Sequence, residues 1–199
     1  ACNVGTMDHI AEIFTHIRQA HGKLDICVNN GATNPYFGPV LDTDLGAYNK
    51  TVEVNIRGYF FMSIEAGKLM RDNGGGAIVN TASIAATDGI PNRAAYSASK
   101  GAVMTLTLAM ATDHLSDGIR VNAVNPGTTD TPWVKRLLDQ ADDAKVAKIA
   151  LEARQPMGRL VSPSEIASAI IFLASPMQAS VTGTTLNVDG GMHSLRIPK

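Results

Sequence analysis

Tyr96 and Lys100 stand four residues apart in Tyr96-Ser97-Ala98-Ser99-Lys100, a spacing that puts both side chains on one face of a helix. A phenol ordinarily titrates near pH ~10 and is useless as a base at neutrality. A lysine cation about 4 Å away, at an effective dielectric of about 20, contributes about 4 kcal/mol, enough to bring Tyr96 near pH ~7. General acid–base catalysis works best there. Ser83 follows an apolar run at 77–81 and offers a hydroxyl to hold a substrate oxygen. The pair by itself reads equally well as a contact on an exposed helix. Ser83 just beyond a strand, with Tyr96 opening the next element, is what favours chemistry. Asn55 sits within Val54-Asn55-Ile56-Arg57-Gly58, where an asparagine inside a long helix also reads as a capping or kink residue.

The elements that must position these residues follow from periodicity. Thr6 is placed to cap a helix from Met7, with Asp8 in its first turn and Ile10, Ile13, Phe14 and Ile17 on one face. Gly22 ends it, and 24–29 reads as a short buried strand. A long helix is expected from about Asp44 toward Asn73, then a strand at 77–81 and a helix over 94–114. A strand at 120–124 stops at Pro126-Gly127, and 130–154 reads as helical. Ser162 or Ser164 caps a helix running to about Ala174, with Pro163 in its first turn. The last strand is 184–188. Near-continuously apolar strands alternating with helices predict an α/β fold, a doubly wound parallel sheet covered on both faces, in one domain over 1–199.

Open sheets of this kind bind ligands beyond the carboxyl ends of their strands, where Ser83 and the residues after 24–29 and 120–124 fall. Asn55, Ser83, Tyr96 and Lys100, in that order and spacing, resemble the short-chain dehydrogenase/reductase family, and the resemblance runs along nearly the whole chain. It implies a Rossmann-like sheet and hydride transfer between NAD or NADP and a carbonyl or secondary alcohol. It also implies roles. In reduction Tyr96 donates the proton and Ser83 steadies the oxygen. Lys100 lowers the tyrosine pKa and binds the nicotinamide ribose, and Asn55 holds a water that passes protons to the lysine. Asn29-Asn30-Gly31-Ala32 resembles the family's Asn-Asn-Ala-Gly segment beside the cofactor, with its last two residues exchanged. Pro126, Gly127, Thr128 and Thr131 resemble the segment that closes on the nicotinamide carboxamide and pyrophosphate. Asn3-Val4 stands where the family has Asp-Val beside the adenine. Asn187-Val188-Asp189-Gly190-Gly191 matches its C-terminal signature.

Family members open with a glycine-rich βαβ segment, about 60 residues at roughly 30 per unit. The glycine cluster here, Gly74-Gly75-Gly76, follows a helix and precedes a strand, the wrong context for a phosphate cradle. The expectation is an incomplete Rossmann sheet, the catalytic part of a longer enzyme. Alone it would be inactive and bind a dinucleotide poorly, since the pyrophosphate needs the first helix N-terminus. NAD and NADP both stay open. Two other readings keep the fold: a shortened paralogue acting as an interaction module, and a sugar-nucleotide epimerase or dehydratase, which uses a similar tyrosine–lysine pair but usually carries an extra substrate domain.

Composition narrows the partners. The chain is 45% hydrophobic and 18% charged with a formal net charge of −1, so no electrostatic footprint favours nucleic acid or an anionic membrane. No apolar run approaches the roughly 18–20 residues of a bilayer span. The five histidines show no metal spacing, and no metal site is expected. Cys2 and Cys27 read as small buried hydrophobes in strands, which suits a reducing, cytoplasmic setting. Tyr36, Phe37, Ile90, Trp133 and Met157 are candidates to line a pocket for a moderately apolar ketone. A 3-oxoacyl thioester is also compatible, without a basic patch for an acyl carrier. The helices over 44–73 and 94–114 are apolar on more than one face, through residues such as Val52, Phe60, Phe61, Met104 and Met110. Both faces must be buried, and a homo-oligomer, dimer or tetramer, is expected.

Overall fold

The structure is a computed structural model and describes residues 1–139 and 141–196. Helix α1 (Met7–His21) buries Ile10 and Phe14, and Gly22 ends it in the left-handed region at φ 72°, its N–H returning to the Arg18 carbonyl. Thr6 precedes the helix in extended geometry but makes no side-chain cap bond. Strands β1 (Ile26–Asn29), β2 (Gly76–Thr81), β3 (Ile119–Pro126) and β4 (Thr185–Val188) form one parallel sheet in that order. The register sets Asn29 opposite Asn80, Asn80 opposite Ala123 and Ala123 opposite Thr185.

Side chains alternate between two covered faces, which is why the strands read as continuously apolar. On one face Ile78, Ile119 and Val121 pack with Ile10, Phe14 and, from α3 (Tyr59–Arg71), Met70. Helix α4 (Ala94–Asp113) lies against the same face through Val103, which packs with Ala123. On the other face Val79 and Val124 meet Ile166 and Leu173 of α7 (Pro163–Ala174). The carboxyl ends of β1, β2 and β3 thus open between α4 on one side and α7 on the other.

Two expected elements differ. The helix expected over 44–73 is α2 (Leu45–Val52) and α3 joined by a π-helical turn, Glu53–Gly58, in which Asn55 and Gly58 are buried. One wider turn leaves the apolar pattern almost unchanged, so periodicity does not reveal it. The helix expected over 130–154 is two, α5 (Pro132–Asp139) and α6 (Ala144–Glu152). The Asp143 carboxylate starts α6 by accepting from the N–H groups of Lys145 and Val146. Gln140, inside that expected helix, lies outside the described residues. Helix α7 is capped by Ser162, not Ser164, in a reciprocal capping box with Glu165. Cys27 is buried in β1, where desolvation pushes its thiol up to about 12. Cys2 is exposed and outside any strand, because the chain at 1–5 runs over the surface before α1. Among the described residues no helix is long and apolar enough to cross a membrane.

Candidate active site

Ser83 follows β2 in extended backbone. Its N–H donates to Oδ1 of Asn125, a buried residue of β3, at 3.0 Å, so the neighbouring strand pins its position. The Ser83 Oγ accepts from the Ala85 N–H at 3.2 Å and faces the Tyr96 phenol. Tyr96 lies in the first turn of α4 and Lys100 one turn further, both buried. The Lys100 Nζ donates to the Thr81 carbonyl at 2.7 Å and to the Tyr59 hydroxyl at 3.4 Å. It lies 5.7 Å from the centre of the Tyr96 ring.

Electrostatically the pair departs from the simple picture of a cation pulling a phenol down. Burial holds Tyr96 above its ordinary value, against the Ser83 hydroxyl and the Arg93 charge, which both pull it down. Burial also pushes Lys100 down, to about 7. The ammonium is aimed at the Thr81 carbonyl, and burial is the largest influence on both groups.

Asn55 is wholly buried in the π turn. Its Oδ1 accepts from the Thr33 N–H at 2.8 Å, and its Nδ2 donates to the Thr33 carbonyl at 2.8 Å and to Ser99 Oγ at 3.0 Å. Ser99 in turn donates to the Tyr96 carbonyl at 2.7 Å. Asn55 therefore ties the loop after β1 to the turn of α4 that carries Tyr96. Both Nδ2 protons are used in these bonds, so a water in a relay to Lys100 would have to donate to the side-chain oxygen.

A cavity of about 620 Å³ opens over the carboxyl ends of the strands. Ser83, Tyr96 and Lys100 line it together with Asn30, which accepts from Thr81 Oγ1 at 3.0 Å. Pro126, Gly127, Thr128 and Thr131 line it as well. Gly127 is sterically required: a Cβ there would come within 2.5 Å of Gln155 Oε1 and 2.9 Å of Asp189 Cα. The exchanged Gly31-Ala32 order carries no strain. A Cβ on Gly31 would meet nothing within 4 Å, and neither residue has positive φ. Ala32 reaches the cavity wall.

Other expected residues lie elsewhere. Asn29 is turned into the helix-covered face, where its Nδ2 donates to Ser63 Oγ at 2.9 Å and to Asn80 Oδ1 at 2.8 Å. Asn80 continues to Thr107 Oγ1 at 3.0 Å. Strand alternation explains this, since consecutive residues take opposite faces. Asn3 is exposed, bonded to Gly5 and His9, and Val4 backs onto Gly58; neither lines the cavity. Ile90 and Trp133 reach the cavity. Tyr36 instead turns back to the Pro39 carbonyl, and Met157 lies against Gly190. Phe37 covers the guanidinium of Arg93, 5.1 Å from its ring centre.

Sequence reasoning passed over Asn125, Ser99, Tyr59 and Arg93. The only signal for Asn125 was a polar residue in an apolar strand just before Pro126. Arg93, three residues before Tyr96, offered none.

The chain matches, over residues 1–193, the family described as Enoyl-(Acyl carrier protein) reductase. It is 40% identical over 186 residues to 2-(S)-hydroxypropyl-CoM dehydrogenase 3 of Xanthobacter autotrophicus, covering 94% of this chain and 72% of that one. Its fold matches ElxO with NADP bound at a TM-score of 0.91 and 32% identity, covering 96% of this chain and 76% of that one. It matches NAD+-bound xylitol dehydrogenase at 0.89 and 30%, covering 96% and 77%. These likenesses run along almost the whole chain and share its parallel sheet, and the chain belongs to the short-chain dehydrogenase/reductase family of oxidoreductases.

Proposed function

We propose that the protein transfers a hydride between NAD(H) or NADP(H) and a carbonyl or secondary alcohol, with Tyr96 exchanging the proton. The observation that carries this is the meeting of the Tyr96 phenol, Ser83 hydroxyl and Lys100 amine in one cavity beyond the strand ends. The residues present fit the nicotinamide end of the cofactor. Lys100, Thr128, Thr131 and Asn30 offer hydrogen-bonding groups around the cavity, and Gly127 lets this segment of its wall pack closely on Gln155 and Asp189. When bound, the nicotinamide supplies or accepts the hydride. In reduction the substrate oxygen accepts from the Ser83 hydroxyl and takes the proton of the Tyr96 Oη. Lys100 in its protonated form offsets the charge of the phenolate left behind, and Asn55, through Ser99, keeps the Tyr96 turn in register.

The proposed site consists of Asn55, Ser83, Tyr96 and Lys100, with Asn30, Gly127, Thr128 and Thr131 toward the cofactor. Asn3, Val4, Asn29, Gly31 and Pro126 belong to the proposed cofactor side as well, Asn29 through the buried bond to Asn80 that ties β1 to β2. A homo-oligomer through the outer faces of α3 and α4 belongs to the same reading, since Phe60, Phe61 and Leu108 stand half-exposed there. The free cysteines suit a reducing compartment, and we place the protein in the cytoplasm.

The test is nicotinamide absorbance with the full-length protein, NAD and NADP, across secondary alcohols and ketones. Turnover with at least one pair is expected. Tyr96→Phe should lower kcat by about 10²- to 10⁴-fold with cofactor affinity nearly unchanged, because only the proton donor is lost. Near-native turnover in that variant would overturn the assignment.

A further inference from the structure

We infer that the cavity selects substrates bearing an anionic group, a carboxylate or similar oxyanion, which Arg93 and Arg154 hold beside the carbon that reacts at Tyr96. This rests on the oxidoreductase reading only for where the reacting carbon lies.

Among the described residues three charged side chains line the cavity, Arg93, Lys100 and Arg154, and no carboxylate does. Lys100 is committed to Thr81 and Tyr59. Neither guanidinium has an ion-pair partner among the described residues, whereas nearby Arg159 grips Glu165 through two bonds of 2.8 and 2.9 Å. Arg93 is half-buried, and its Nε is shut off from solvent with no hydrogen-bond partner. A buried guanidinium donor is costly unless something accepts from it. Burial and the like charge of Arg154 both work against the Arg93 cation, and an anion between them would relieve both.

The orientation is prepared. The Arg93 guanidinium lies 5.1 Å from the Phe37 ring centre and 5.9 Å from that of Trp133. The Trp133 ring sits edge-on to Tyr96 with centres 6.2 Å apart. Two aromatic rings hold a planar fork whose geometry matches the two oxygens of a carboxylate. Arg93 is thus close enough to Tyr96 for one small molecule to reach both. Ile90, Ile166 and Met192 supply apolar wall for its carbon skeleton. The class is a hydroxy acid or oxo acid, with the charge a few bonds from the carbinol.

Trp133 is the only tryptophan in the chain, so its fluorescence reports ligands at this wall. Hexanoate and hexanamide have one shape and differ in charge. Hexanoate should bind at least ~10-fold more tightly at neutral pH, charge-assisted hydrogen bonds being the stronger kind. Arg93→Gln should abolish the preference and Arg93→Lys keep part of it. Arg154→Gln, at an exposed position where folding is not at risk, should weaken it. Equal affinities in the unaltered protein overturn the inference. In turnover, kcat/KM for a hydroxy acid over its amide should collapse toward unity in Arg93→Gln, through KM. If Arg93→Gln instead weakens NAD(P) binding with hexanoate unaffected, the arginine serves the dinucleotide phosphates and the inference fails. If it slows acid and amide equally with a shifted pH profile, Arg93 acts through the Tyr96 proton and the inference also fails. Charge-selective binding without turnover of any alcohol by the full-length protein leaves the anion site standing and brings down the oxidoreductase reading.

Discussion

Lys100 is a lysine that folding takes out of water, and its pKa falls by burial to about 7. In the unfolded chain a lysine keeps its proton to about pH 10.4. Between about pH 7 and 10 the unfolded chain therefore binds a proton that the folded chain has released, so stability rises with pH. The slope from this one group is at most about 1.4 kcal/mol per pH unit, and below about pH 7 its contribution is flat. The Tyr59 and Tyr96 phenols packed against it are both held above their usual values by burial, and stay neutral through the window. Urea unfolding at pH 7, 8 and 9 should show this rise, and Lys100→Met should flatten it. Parallel slopes in the two proteins would mean that the ammonium stays charged. The residue types at the site were readable from their spacing. The direction of Tyr96's titration was not, because it depends on burial and on where the ammonium points, and sequence distance carries neither.

Among the elements, α7 shows how a sequence signal and a tertiary one combine. Its start was readable, since Ser162, Pro163 and Glu165 make a capping box at fixed local offsets. Its end is closed from another strand. The Arg120 guanidinium of β3 donates to the carbonyls of Leu173 at 2.8 Å, Ala174 at 3.2 Å and Ser175 at 3.0 Å, and also to Val181 at 3.1 Å. A cation on orphan carbonyls at a helix C-terminus satisfies both their hydrogen bonds and the dipole. Arg120→Met should cost about 1.5–3 kcal/mol, the range for hydrogen bonds to a charged group, measured as a fall in urea midpoint at constant m-value. Arg120→Lys should recover a part. No loss in Arg120→Met would show that water serves those carbonyls equally well. The π turn at Glu53–Gly58 is the converse case. It places Asn55 against Thr33 and Ser99 and brings Gly58 so near Val4 that a Cβ would stand 2.8 Å from its carbonyl. The partners of Asn55 in that turn are 22 and 44 residues away.

For the whole molecule, the outer surface of α3 and α4 is the feature the sheet leaves over. Both helices bury one face on the strands, while Phe60, Phe61 and Leu108 remain half-exposed on the other. The Phe60 and Phe61 rings meet edge-on with centres 5.7 Å apart. A hollow between the two helices is lined by Phe60, Ile64, Leu106 and Met110. Such a patch is larger than scattered surface apolars need be and suits a self-complementary contact. Light scattering at micromolar concentration should give a multiple of the 21.0 kDa chain. Phe60→Glu should shift it toward the monomer while leaving the far-ultraviolet circular dichroism unchanged. A monomer in the unaltered protein would mean that this face is covered by something other than a second copy.

Local rules carried the sequence a long way. Period and punctuation marked the four strands and the helices between them, and their alternation implied a parallel sheet covered on both faces. The spacing of Tyr96 and Lys100, and Ser83 after a strand, pointed to one edge of that sheet. These properties depend on neighbours within a turn or a strand, which the sequence states directly. What the tertiary structure decided depends on which distant groups meet. Asn30 faces the cavity while Asn29 joins a buried ladder with Asn80 and Thr107. Asn125 holds the Ser83 backbone, and Arg93 comes to rest between Phe37 and Trp133 with no ion pair among the described residues. Burial then sets the energy of each such meeting, because a charge or a hydrogen bond removed from water has only the partners that the fold supplies.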